Sequence, residues 1–231
     1  MSLVYLAAAT GLFIAFSLKK PAPMIDPPDK NHRIVLFYLD LLPTIGKRPL
    51  YLKEILEWPL THDGEMEKNH EFIQWLFPTN QVSQYNRDAP ILQPQIADVL
   101  REIPLFRRNF GLAFLRFMRF LNINLDPDSL TFQIENSKFF RHITAHNFLR
   151  LSRVLQSLQC FGYHKLAQSL HGSLMQINTD TTQNSEVIKS FEEARRKHWT
   201  NIMTYPTQSN DPNETRFYTT LKTILDKIRT K

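Results

Sequence analysis

The chain has 231 residues, 42% of them hydrophobic and 17 of them phenylalanine, which supplies the core of one domain of ordinary size and excludes global disorder. Six glycines against 14 prolines argue against a turn-rich β fold and against a glycine-rich phosphate loop, and the lone Cys160 leaves no internal disulfide to form. The formal net charge of +6 permits nucleic acid, anionic lipid or an acidic protein as partner, although at this magnitude a mildly basic solvated surface is the better reading.

Residues 1–18 carry no charged side chain, and Lys19 and Lys20 follow at once. A spanning helix needs about 20 apolar residues, so this run sits at the short end. A secretory signal has its basic residues before the apolar run, whereas here they come after it. By the positive-inside tendency they hold the following domain on the cytoplasmic side. Residues 1–20 are therefore expected to form a transmembrane anchor, the plainer reading being a helix docked on the domain. Four prolines between Pro21 and Asp29 favour an extended spacer, so 21–30 is read as a linker.

The remainder reads as an all-α, multi-helix domain. Ile34, Phe37, Tyr38, Leu41 and Leu42 recur at helical spacing up to Pro43, and Leu50–Trp58 gives a second short helix before Pro59. Met66, His70, Ile73 and Phe77 line one face of a third, stopped by Pro78. Residues 82–92 read as loop. Pro94 suits a first helical turn, with Ile96, Val99, Leu100 and Ile103 behind it. After Pro104, Phe106, Phe110, Phe114, Phe117, Met118 and Leu121 form the strongest apolar stripe in the chain. Residues 122–136 read as loop, with a short strand possible where Leu130, Phe132 and Ile134 alternate.

The spacing then predicts one long helix over 139–161 capped by Gly162, a shorter one over 163–176, and another starting at Ser185. Phe217, Leu221, Ile224, Leu225 and Ile228 predict a terminal amphipathic helix. The domain is drawn over 31–204, with 205–231 as a C-terminal linker and helix. Arg107, Arg108, Arg116 and Arg119 flank the phenylalanine stripe, Lys138, Arg141, Arg150 and Arg153 flank the long helix, and Arg195-Arg196-Lys197 ends another. Interleaved with aromatics they could bind single-stranded nucleic acid, but helical periodicity reads them more simply as a solvated rim.

Two segments are rich in rare residues. Asn69-His70-Glu71-Phe72-Ile73-Gln74-Trp75-Leu76-Phe77-Pro78, with Met66-Glu67 just upstream, resembles the His-x-Tyr-Ile-Gln-Trp-Leu-Phe-Pro signature of the opioid growth factor receptor domain. His146-Asn147-Phe148-Leu149-Arg150-Leu151-Ser152-Arg153-Val154-Leu155 is similar to that family's Ser-His-Asn-Asn-Leu-Arg-Ile-Thr-Arg-Ile-Leu segment. Ala145 replaces the serine, and Phe148 replaces an asparagine. Leu115-Arg116-Phe117-Met118-Arg119 resembles a third family segment more distantly. The resemblance runs from about Asn31 to Trp199. It implies an all-helical domain, receptor activity toward an enkephalin-type peptide, and a membrane-associated, nuclear or perinuclear place.

Chemistry is weighed against packing at each polar motif. Glu67-x-x-His70 would set both side chains on one helix face, as in di-iron bundles, but such sites need a second turn of the same kind. His142 and His146 have the i, i+4 spacing that can chelate zinc, without a further histidine pair or cysteine cluster. Cys160 reads as a buried thiol. No catalytic residue, metal ligand or cofactor is assigned. The candidate ligand-binding residues are Asn69, His70, Gln74, Trp75, His146, Asn147, Arg150 and Arg153, with His146, Asn147, Trp75 and Arg150 expected to line a polar pocket between two helices. The expected function is a non-enzymatic, receptor-like binding module for an enkephalin-like peptide or protein partner. The alternatives are a basic adaptor for nucleic acid, acidic proteins or lipid surfaces, and a His/Glu metal-dependent enzyme.

Overall fold

A computed structural model describes residues 30–61, 64–179, 185–200 and 211–230. The expected anchor and the proline-rich linker lie outside the described residues, except Lys30, which opens the first helix. Among the described residues no helix is long and apolar enough to cross a membrane. In chain order the elements are α1 (Lys30–Tyr38), α2 (Leu52–Glu57), α3 (Glu65–Lys68), α4 (Ile73–Leu76), α5 (Pro94–Glu102), α6 (Pro104–Phe120), β1 (Ile123–Leu125), β2 (Phe132–Ile134), α7 (Asn136–His142), α8 (Ala145–Cys160), α9 (His164–Met175) and α10 (Ser185–Ala194). A π-helical turn, Arg195–Trp199, extends α10, and α11 (Pro212–Arg229) closes the described chain. The fold is mainly helical, as the periodicity predicts, with one small hairpin.

Helix α6 organises the core. Phe106, Phe110, Phe114 and Phe117 of the predicted stripe are all fully buried, and α1, α2, α5, β1 and α11 pack around this helix. Gly111 brings α11 close: a Cβ there would sit 3.1 Å from Ile224 Cδ1 and 3.2 Å from Leu221 Cδ2. The α11 ring Phe217 stacks on Tyr163 at 4.0 Å, so the terminal amphipathic helix shares the common core. Helix α8 packs against α9 on one side and α10 on the other. Prolines occupy the first turns of α5, α6 and α11, where the missing N–H would have no helical partner. Gly162, at φ 72°, ends α8 with the paired bonds of a Schellman turn, Tyr163 N–H to Leu158 C=O and Gly162 N–H to Gln159 C=O, both 2.9 Å.

Four expectations are corrected. The helix predicted over Met66–Phe77 breaks into α3 and α4. Asn69 adopts φ −84° and ψ 130°, and its Oδ1 accepts the Glu71 N–H at 2.8 Å. Packing favours the break, because Phe72, Ile73, Trp75, Leu76 and Phe77 are all buried and no single face of one helix presents so contiguous a set.

The helix predicted over 139–161 also breaks, at extended Ile143 and Thr144, which lets Phe139, Phe140 and Phe148 converge on Phe191 with ring centroids 6.2, 5.2 and 5.4 Å away. The inward face of α5 uses Ala97 and Leu100, leaving Val99 55% exposed. The segment read as loop after Leu121 supplies β1, which pairs antiparallel with β2 in the register Ile123–Ile134, Asn124–Gln133, Leu125–Phe132. Phe132 and Ile134 lie in the expected strand, whereas Leu130 precedes it in the left-handed region at φ 54°.

Candidate functional site

The break between α3 and α4 leaves the carbonyls at the end of α3 without helical partners. Arg150, one turn into α8 and only 5% exposed, supplies them. Its Nη1 donates to Met66 C=O at 2.7 Å and to Asn147 Oδ1 at 3.0 Å. Its Nη2 donates to Asn69 C=O at 2.7 Å and reaches Glu67 C=O at 3.4 Å. The guanidinium also lies over the Phe72 ring, 5.4 Å from the centroid. Burial draws the Arg150 pKa down to about 10, so the group stays cationic at neutral pH. The planar fork of arginine is what allows one side chain to hold several carbonyls at once.

Beside this clamp lies a polar edge. Glu67 Oε1 accepts from the Thr144 hydroxyl at 2.6 Å and sits 3.1 Å from His146 Nε2. Its Oε2 accepts from Asn147 Nδ2 at 2.8 Å. The His146 and His70 rings meet edge to face with centroids 5.0 Å apart. Asn147 is fully buried, whereas about a third of His146 remains open to solvent. The two family-like segments thus touch: Asn69 and His70 of one meet His146, Asn147 and Arg150 of the other.

Burial pushes the His146 pKa down. The Arg150 cation and His70 push the same way, against the pull of Glu67. A histidine held neutral by the fold binds fewer protons folded than unfolded. Its contribution is therefore fully present above the unfolded pKa of about 6.5 and is lost as pH falls toward the lower folded value. The urea midpoint should drop between pH 7 and pH 5, and more steeply for the parent than for His146→Gln. Parallel curves for the two proteins would show that His146 does not report on this edge.

The other candidates lie elsewhere. Trp75 is fully buried against Phe37 at 5.4 Å, and its Nε1 has no hydrogen-bond partner among the described residues. It therefore stands in the aromatic core and does not join the hydrogen bonds of a polar pocket. Gln74 is 4% exposed and its Oε1 is likewise unpartnered. Arg153 donates from Nε to Phe77 C=O at 2.8 Å, capping α4, and burial lowers its pKa to about 10.

Thr144 was not among the candidates, and Glu67 was weighed only through its spacing to His70. Because Asn69 leaves the helix, Glu67 and His70 do not share the face of one helical turn. The capping-type position of Thr144 before an Ala-His-Asn helix start was the available signal. The His142 side chain lies outside the described residues. Among the described residues no group of three His, Cys, Asp or Glu side chains is arranged to hold a metal ion.

The expected solvated rim is corrected in part: Arg108, Arg119, Lys138, Arg196 and Lys197 are exposed, but other arginines turn inward to close helix ends. Arg116 donates to Trp58 C=O at the end of α2, Arg101 to Phe161 C=O at the end of α8 (3.2 Å), Arg107 to Arg101 C=O in the last turn of α5 (2.7 Å), and Arg195 to Met175 C=O at the end of α9. With Arg150 on α3 and Arg153 on α4, arginines from distant positions close helix ends across the fold.

These features define a mainly helical domain whose two motif segments are locked together by a buried arginine. Residues 29–217 match the family described as the opioid growth factor receptor (OGFr) conserved region, and the chain belongs to that family. Its relatives include opioid growth factor receptor-like protein 1 of Rattus norvegicus (29% identical over 126 residues), of Mus musculus (30% over 126) and of Xenopus tropicalis (28% over 139). These alignments cover 52%, 52% and 58% of this chain, which spans only 27% of each relative's length. No solved structure matches the chain.

Proposed function

We propose that the chain is a non-enzymatic binding module of receptor type, reading a peptide or a segment of a protein partner at the edge formed by Glu67, His70, Thr144 and His146. Family membership over residues 29–217 is the observation that carries this reading. The relatives are named for likeness to an opioid growth factor receptor, and the motif resemblance makes an enkephalin-type peptide the first candidate ligand. The division of labour between the motif residues supports the location. Arg150 and Asn147 are buried and spent on the protein's own backbone and on Glu67, whereas Thr144 is exposed and His146 is partly open. A ligand would meet the histidine edge and not the arginine.

Calorimetric titration of Met-enkephalin into the purified chain tests this. Saturable heat in the parent, lost in His146→Ala with its far-ultraviolet dichroism unchanged, is the expected result. No heat across the soluble range removes the peptide-receptor role and leaves the fold and family as they stand. Binding whose affinity collapses with added salt would favour the basic-adaptor reading instead. We further propose that residues 1–18 tether the module to a membrane. The full chain should then float with liposomes while a version beginning at Pro21 stays behind, and flotation of neither would reject the tether.

A further inference from the structure

A cleft of about 940 Å³ opens between α2, α6, the β1–β2 hairpin and the carboxyl end of α11, apart from the histidine edge. Its apolar lining comes from side chains such as Leu56, Leu112, Leu115, Leu225 and Ile228. Ile228 is 47% exposed and Leu225 only partly buried, so the described residues leave this apolar surface incompletely covered.

The charges of the cleft do not balance. Asp128 is held by Lys222 at 2.5 Å, and Asp126 is met by the attraction of Arg229 and by the backbone N–H of Asp128 at 2.9 Å. Two cations then remain, Arg116 and Arg119, three residues apart on one face of α6. Among the described residues neither has a carboxylate at ion-pair distance. Burial of Arg116, and to a lesser extent the nearby Arg119 cation, works against the charge on Arg116. One end of Arg116 serves the Trp58 carbonyl, while its Nε is buried without a hydrogen-bond partner among the described residues. A half-buried cation beside a second cation is stabilised by an anion between them.

We propose that this cleft binds a small anionic amphiphile, its carboxylate or sulfonate held by Arg116 and Arg119 and its apolar body laid against the leucine wall. Size favours this occupant over a protein surface. Small-molecule sites are concave, roughly 300–1,000 Å³, and lined by apolar side chains with a few convergent polar groups. The proposal stands on residues separate from the histidine edge and does not depend on the receptor reading.

The experiment uses the full chain with 1-anilinonaphthalene-8-sulfonate as fluorescent probe and sodium decanoate as competitor, below its micellar concentration. The expected result is saturable probe fluorescence displaced by decanoate, with decyltrimethylammonium weaker by about tenfold or more, as loss of a charge-assisted contact requires. Arg119→Gln removes an exposed cation that no described carboxylate pairs, without touching the core, and should weaken both anions by a similar factor. Leu225→Trp should narrow the cleft at the leucine wall and weaken displacement. Equal competition by the cationic and anionic amphiphiles, or unchanged affinity in Arg119→Gln, would overturn the proposal. So would displacement by an acidic amphipathic helical peptide but not by decanoate, which would assign the cleft to a protein partner.

Discussion

Arg150→Ala is expected to destabilise the fold by about 3–5 kcal/mol, the scale for removing one member of a buried, hydrogen-bonded charge cluster. The guanidinium is nearly inaccessible, and its removal strands the carbonyls of Met66 and Asn69, the Oδ1 of Asn147 and the cation–aromatic contact with Phe72 in one step. Glu67 loses a neighbouring positive charge while its carboxylate stays largely buried. Arg150→Lys keeps the charge but not the fork, and a point-like ammonium cannot serve two carbonyls and a side-chain amide in the same geometry. It should recover less than half of the loss. Urea unfolding at pH 7 measures both. A loss under about 1 kcal/mol for the alanine variant would mean that α3 re-closes its end without arginine, and the clamp would be incidental to the fold.

The arginine caps also explain what the sequence could and could not reveal. A glycine cap is local: Gly162 follows the last turn it closes, so position in the chain suffices to find it. Arg150 instead closes a helix 84 residues upstream, Arg153 one that lies 76 upstream, and Arg101 one that lies 60 downstream. No periodicity carries that information. Read by spacing alone, an arginine beside a phenylalanine stripe belongs to the solvated rim. With six glycines in the chain, few helix ends can close locally, and that scarcity was the one hint that remote donors were needed.

The same distinction separates the elements that were legible from those that were not. The α6 stripe was legible because four phenylalanines at helical spacing face one way and are all buried. The breaks at Asn69 and Ile143-Thr144 were not, because each is decided by what the flanking aromatics meet in space: Trp58 for Phe72, Phe191 for Phe139 and Phe140. At the candidate site, Asn69, His70, His146, Asn147 and Arg150 do come together, since both motif segments meet at the start of α8. Gln74 and Trp75 belong to the same motif but point into the core. Membership of a motif located the junction without distinguishing its buried scaffold from its exposed edge.

Phe110→Ala is expected to cost about 3–5 kcal/mol, as large-to-small changes at fully packed aromatic positions do. Its ring lies within 5.0–6.2 Å of the rings of Tyr38, Phe77, Phe106, Phe161, Tyr163 and Phe217. Those rings belong to α1, the end of α4, α6, the α8–α9 turn and α11, so one side chain ties helices from both ends of the described sequence. The void would be bordered by rings anchored on separate backbones, and such a site collapses poorly. Denaturant unfolding of Phe110→Ala, Phe217→Ala and the double variant reads this directly. Two contacting rings in one cavity should give a double-variant loss smaller than the sum, because the second truncation enlarges a void whose contacts are already broken. Strict additivity, or a loss below about 2 kcal/mol for Phe110→Ala, would mean that the surrounding rings close into the vacated volume. The aromatic core would then be a set of weakly coupled clusters, and α11 could detach from α6 without unfolding the α3–α8 junction.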